Sequence, residues 1–258
     1  MIRGRRAFVA GALASAVAAC TSSKRAQQQL PTSEAFSPSP SPTTAASPSD
    51  SSAAAARFVA RGDGARQQVA LTFHTNGDRS LAEGLLETVE AQHVNITAFV
   101  VGSWLEANPD FAQRITGGGH ELANHTYTHP TFPSLEAPAM RDEIVRCRDV
   151  MSRLTGSGGR YFRPSGTNNG VDDPGTTVVR LAGEAGYPIV LGFDVDPADY
   201  RDPGADSVVS ATLDSVRAGS IVSLHFGHQG TIDALGPILT GLDQRGLQPV
   251  TVSTLLAP

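Results

Sequence analysis

Two histidines four residues apart, in Asn124-His125-Thr126-Tyr127-Thr128-His129, carry the strongest chemical signal in the chain, because that spacing can bring two imidazoles onto one metal ion. Three further polar islands stand at the ends of apolar runs: Phe162-Arg163-Pro164, Asp196-Pro197-Ala198-Asp199-Tyr200 and Ser223-Leu224-His225. A metal-binding pair joined by an arginine, a carboxylate and another histidine points to a hydrolase. Other hydrolase chemistries lack their residues. No Gly-x-Ser-x-Gly elbow occurs, and no Gly-rich phosphate loop. His120-Glu121-Leu122-Ala123-Asn124-His125 is one residue too long to be the His-Glu-x-x-His of a zinc protease helix.

The elements that must position these groups alternate in type. Apolar runs of strand length at Gln68 to Phe73, Ile96 to Val101 and His120 to Asn124 precede helical patterns at Leu81 to Gln92, Leu105 to Ile115 and Leu135 to Leu154. The pattern continues through strands at Tyr161 to Arg163, Pro188 to Phe193 and Ser220 to Phe226, with helices at Thr176 to Ala185, Asp206 to Val216 and Ile232 to Asp243. A last strand falls near Pro249 to Leu255. Such alternation predicts parallel strands with right-handed crossovers, hence an α/β barrel or open sheet. Gly117-Gly118-Gly119, Gly186 and Gly219 sit where helices must stop before strands. His74, His125, Arg163, Asp196, Asp199 and His225 all fall at or just after strand ends, where α/β folds gather reactive groups.

The flanks predict location. Residues 1–20 combine a basic start (Arg3, Arg5, Arg6) with a short apolar run and read as an export signal. Val17-Ala18-Ala19-Cys20 resembles a bacterial lipobox and Arg5-Arg6-Ala7-Phe8 a twin-arginine signal, with an ordinary cleaved signal or a short anchor as the alternative. Residues 21–56 are rich in Ser, Pro, Thr, Ala and Gln, too poor in large apolar groups to offset their conformational entropy, and read as a tether. Residues 57–258 are expected to form one domain, in an extracytoplasmic protein anchored by lipid to the bacterial cell membrane. The net charge is −5 and no Lys/Arg cluster appears, which gives no support to nucleic-acid binding; a monomer is expected. With Cys20 lipidated, Cys147 has no disulfide partner and reads as a buried thiol.

Taken in order, the polar islands resemble the motifs of the polysaccharide deacetylases, the NodB-homology group in carbohydrate esterase family four. The resemblance spans nearly all of Gln68 to Leu256 and implies a distorted (β/α) barrel of about seven parallel strands. Gly119 to His129 is similar to the second motif, which implies that His125 and His129 bind a divalent metal, usually zinc. Phe162-Arg163-Pro164 is similar to the third, whose arginine orients the catalytic base, although Ser165-Gly166-Thr167 replaces its usual continuation. Asp196 to Tyr200 resembles the fourth, implying that Asp199 orients a catalytic histidine, with Tyr200 standing for a tryptophan. Ile221 to His225 resembles the fifth, implying that His225 is the general acid, with Ser223 where an apolar residue walls the acetyl pocket. Tyr200, Pro164 and Leu224 are implied to contact substrate.

The first motif departs from the family. In place of Thr-Phe-Asp-Asp-Gly, with its base and its metal-binding aspartate, the chain has Thr72-Phe73-His74-Thr75-Asn76-Gly77-Asp78. One reading is a rebuilt site, with His74 as base or ligand and Asp78 swinging in as the third metal ligand. The other is a groove that binds sugar without catalysis. The rebuilt site implies a metal-dependent hydrolase that removes acetyl groups from N-acetylated cell-envelope polysaccharide, peptidoglycan-like or chitooligosaccharide. An O-acetyl esterase on glycans is the neighbouring alternative. Plainer roles are expected elsewhere: a structural His120, a surface His93, a solvent-facing His228, and turn or cap duties for Asp172, Asp173 and Asp196.

Overall fold

A computed structural model describes residues 55–167 and 170–258. The expected signal, lipobox and nearly all of the tether lie outside them. Among the described residues no helix is long and apolar enough to cross a membrane.

All neighbouring strands are parallel. They are β1 (Arg57–Val59), β2 (Gln68–Thr75), β3 (Thr97–Val100), β4 (Glu121–Asn124), β5 (Tyr161–Phe162), β6 (Ile189–Leu191), β7 (Ile221–His225) and β8 (Gln248–Val250). Their order is β1-β6-β5-β4-β3-β2-β7, with β8 beside β2. The segment after β6 also hydrogen-bonds β7, from Asp194 N to Ile221 O and from Ser223 N to Val195 O, so the sheet curls round as a distorted barrel. β2 is buried along almost its whole length, as a strand covered on both faces must be.

The helices are α1 (Arg79–Ala91), α2 (Gly102–Ala107), α3 (Asp110–Gly117), α4 (Ala137–Thr155), α5 (Thr176–Glu184), α6 (Ala205–Ser215), α7 (Gln229–Gln244) and α8 (Val252–Leu255). α1 buries Ala82, Leu85, Leu86 and Val89, the i, i+3, i+4, i+7 stripe that its sequence predicts. The helix expected over Leu105 to Ile115 is two helices, because Pro109 has no N–H to continue the ladder and Asn108 turns the chain before it. The last expected strand stops at Val250, and Thr251 caps α8 by accepting from Thr254 N. His120 is buried and accepts from Ile96 N, the structural role expected of it, and His93 is an exposed residue just beyond α1. Cys147 is buried in α4, its thiol pushed up to about 12 by desolvation.

Candidate active site

Five strands deliver the site. Register pairs His74 on β2 with His225 on β7, so the two rings emerge side by side at the same level of the sheet. His125 follows β4, Arg163 follows β5, and Asp199 lies in a 3₁₀ turn after β6. His74, His125 and His225 border a cavity of about 360 Å³ also lined by His129, Thr131, Pro164, Gly166, Thr167, Phe193, Asp196, Tyr200 and Ser223, while Arg163 and Asp199 are buried behind it and hydrogen-bond His74 and His225. The convergence of strand-end residues on one rim is therefore observed.

At the centre is one chain of hydrogen bonds. Arg163 Nη1 lies 3.0 Å from His74 Nε2, His74 Nδ1 lies 2.9 Å from His225 Nε2, and His225 Nδ1 lies 2.8 Å from Asp199 Oδ1. The donor sense follows from the ends. A guanidinium only donates and a carboxylate only accepts, so with both rings neutral His74 carries its proton on Nδ1 and His225 on Nδ1. Every ring nitrogen in the chain then has one partner of the right kind. Arg163 is fully buried, which pushes it down to about 9, still protonated at neutral pH. Bonds to Leu191 O, Gly192 O and Thr72 Oγ1 and stacking on Phe99 hold it in place. Asp199 Oδ2 is bound in turn by His225 N and Thr231 Oγ1.

His125 stacks on His74, ring centroids 4.0 Å apart, and neighbours His129 at 5.0 Å. Its Nδ1 donates to Arg163 O, which leaves the Nε2 lone pair buried and without a partner. Burial first, then neighbouring histidines, hold His74 and His125 well below the usual imidazole range, and burial lowers His129 as well. All three are neutral at pH 7. The loop carrying His129 is held by Glu143 of α4, which accepts from Tyr127 N, Thr128 N and the Thr128 hydroxyl. That loop adopts left-handed backbone at Thr126 (φ 69°) and His129 (φ 59°).

Two expected members of the site are elsewhere. Asp78 is the exposed N-cap of α1, accepting from Ser80 N, Leu81 N and the Ser80 hydroxyl, bonds that pull its carboxyl below the usual range. It cannot swing in cheaply. Trp104 Nε1 donates to Gly77 O, and Gly77 (φ 94°) presses against Gly227 so closely that a Cβ on it would sit 3.2 Å from the Gly227 Cα. Leu224 faces the core between Ser223 and His225, because side chains alternate along β7. Tyr200 and Pro164 do line the cavity, with the Tyr200 ring 5.1 Å from His225.

The donor set for a metal is correspondingly short. His125 Nε2 is a buried lone pair awaiting a partner, with the His129 ring alongside it, and both are of the type a divalent metal takes. His74 adds no third donor while both of its nitrogens are engaged, Nε2 by Arg163 and Nδ1 by His225. Among the described residues no group of three His, Cys, Asp or Glu side chains is placed to hold a metal ion.

Asp196 lines the cavity and also accepts from Ala198 N, so its expected turn-forming role is present. His228 bonds Asp202. Glu143, Thr231 and Phe193 were not singled out by sequence. Glu143 carries no signal beyond being a charged residue on the buried stripe of α4.

Residues 61–190 match the family model described as polysaccharide deacetylase. The chain belongs to the polysaccharide deacetylase family. It is 28% identical over 194 residues to a peptidoglycan-N-acetylglucosamine deacetylase of Bacillus cereus, covering 74% of this chain and 68% of that protein. The crystal structure of the Bc1960 peptidoglycan N-acetylglucosamine deacetylase superposes with a TM-score of 0.71 at 27% identity, over 77% of this chain and 92% of that one. BA3943 of Bacillus anthracis, described as a CE4 family pseudoenzyme, superposes with the same TM-score at 25% identity, over 78% of this chain and 69% of its own.

Proposed function

We propose that this deacetylase-family chain removes acetyl groups from an N-acetylated cell-envelope polysaccharide, with a divalent metal, most readily zinc, at His125 and His129. The observation that carries the reading is His225, which lines the cavity with the buried Asp199 bonded behind its ring, together with the unpartnered Nε2 of His125 in the same lining. A hydrolase needs a proton acceptor in a fixed tautomer, and Asp199 fixes His225 so that Nε2 faces inward as the acceptor. His225 Nε2 takes a proton from attacking water once its bond to His74 yields, and returns it to the departing amine. A bound metal supplies an acidified water and polarises the acetyl carbonyl. Tyr200 and Phe193 offer apolar surface to a sugar ring, and Ser223 offers a hydroxyl at the pocket wall. Anchorage through Cys20 belongs to the same proposal, and places the site within reach of envelope glycans.

One observation favours a second reading, glycan binding without turnover: His74 stands where the family carries its catalytic base and has no free nitrogen. Mass spectrometry of purified peptidoglycan and of an N-acetylated chitooligosaccharide, incubated with the chain and excess zinc, separates the two. Appearance of de-acetylated products supports hydrolysis. Saturable glycan binding with no such products supports the silent groove.

A further inference from the structure

The residues around His74 bear on how tightly a metal is held. The ring is enclosed on three sides: the Arg163 guanidinium at one nitrogen, His225 at the other, and His125 stacked on its face. Its Nδ1 carries a proton and its Nε2 lone pair points at a cation, so neither can coordinate. Releasing Nε2 would leave the Arg163 Nη1 proton buried and unpaired, and releasing Nδ1 would take from the His225 Nε2 lone pair its donor. The nearest carboxylates are committed as well. Asp78 caps α1, Asp199 has both oxygens bonded, and Glu143 accepts from the loop backbone; Asp196, which lines the cavity, accepts from Ala198 N, and among the described residues it completes no group of three side chains placed to hold a metal ion. What remains is two neutral imidazoles with no anionic donor.

We infer that this chain has traded a tightly held metal for an exchangeable one: zinc binds through His125 and His129 alone and leaves whenever free zinc is scarce. The inference rests on the two-histidine metal site proposed above and adds to it the affinity and the cause: Thr75 stands at the second aspartate of the motif, and the neighbouring His74 brings neither a free donor nor a negative charge in its place. Catalytic zinc sites ordinarily use three protein ligands, and loss of one, together with the absence of a carboxylate charge, weakens binding steeply. Substituting His74→Asp places a negative charge beside His125 and so restores attraction for a cation.

The test reads the metal and not the reaction. The full chain is incubated with zinc chloride, dialysed against zinc-free buffer and assayed for metal by atomic emission, and its zinc affinity is then measured by competition with a chromophoric chelator. The expected result is well under one zinc per chain after dialysis, with zinc binding in the titration that His129→Ala removes, and at least about a tenfold tighter constant in His74→Asp, equivalent to about 1.4 kcal/mol. One zinc per wild-type chain surviving dialysis overturns the inference. So does a His74→Asp variant that folds, by circular dichroism, yet binds zinc no better than wild type. Failure of the deacetylase reading would appear separately, as zinc binding of the expected kind without acetate release.

Discussion

Replacing Asp199 by Asn tests the hydrogen-bond chain at its anchored end. The carboxylate is fully buried and accepts three bonds, from His225 Nδ1, His225 N and Thr231 Oγ1, at 2.7 to 2.8 Å. An amide offers one acceptor and one donor in their place. With its oxygen toward Nδ1, its NH₂ faces the His225 N–H, donor against donor. Turned the other way, it forces His225 to carry its proton on Nε2, where it meets the His74 Nδ1 proton. His74 cannot switch tautomer, because Arg163 can only donate to its Nε2. Either way one buried N–H is orphaned, at about 1–3 kcal/mol, and a charge-assisted bond worth about 1.5–3 kcal/mol is lost. The sum, about 2.5–6 kcal/mol, lowers the melting midpoint of a domain this size by roughly 10 °C or more. Differential scanning calorimetry reads it, with Thr231→Val as a control that removes one bond and costs about 1 kcal/mol. A midpoint for Asp199→Asn within about 2 °C of wild type would refute the donor assignment through the whole chain.

Further expectations follow from the same contacts. His74 and His125 are held below the ordinary imidazole value, so the unfolded chain binds more protons once pH drops under about 6.5. Stability is therefore level above that value and falls as pH drops through it, by up to about 1.4 kcal/mol per pH unit for each ring, read from urea midpoints at pH 7.5, 6.5 and 5.5. Glu143→Ala leaves two loop N–H groups and a hydroxyl without an acceptor and is expected to cost about 3 kcal/mol in the same assay, whereas Glu143→Gln keeps one oxygen and costs about 1. Gly227→Ala, at φ 82° with its Cβ 2.9 Å from Asn76 O, is expected to lose about 2 kcal/mol or more and to shift the loop after His74.

The barrel and most of the rim were legible in the sequence because both rest on local patterns. Strand-length apolar runs ending in a polar group place His74, His125, Arg163, Asp199 and His225 at one edge without any knowledge of the loops. What the pattern could not convey is competition among partners. Asp78 looks like a carboxylate one loop away from a metal, but the same residue opens a helix, and the cap bonds to Ser80 and Leu81 win. His74 looks like a base of suitable pKa, but its value as a base depends on which groups face its nitrogens, and Arg163 and His225 come from elsewhere in the chain. Leu224 was placed in the groove on motif membership, although period-two alternation between Ser223 and His225 already sends it to the core. The break at Asn108-Pro109 was equally readable, since Pro109 lies inside the span assigned to one helix.

The most direct test of the account is acetate release from an N-acetylated chitooligosaccharide in excess zinc, compared between wild type and His225→Ala. The account predicts release by wild type and none by His225→Ala, with glycan and zinc binding unchanged. Release at equal rates from both, or binding by wild type with no acetate at all, would contradict it.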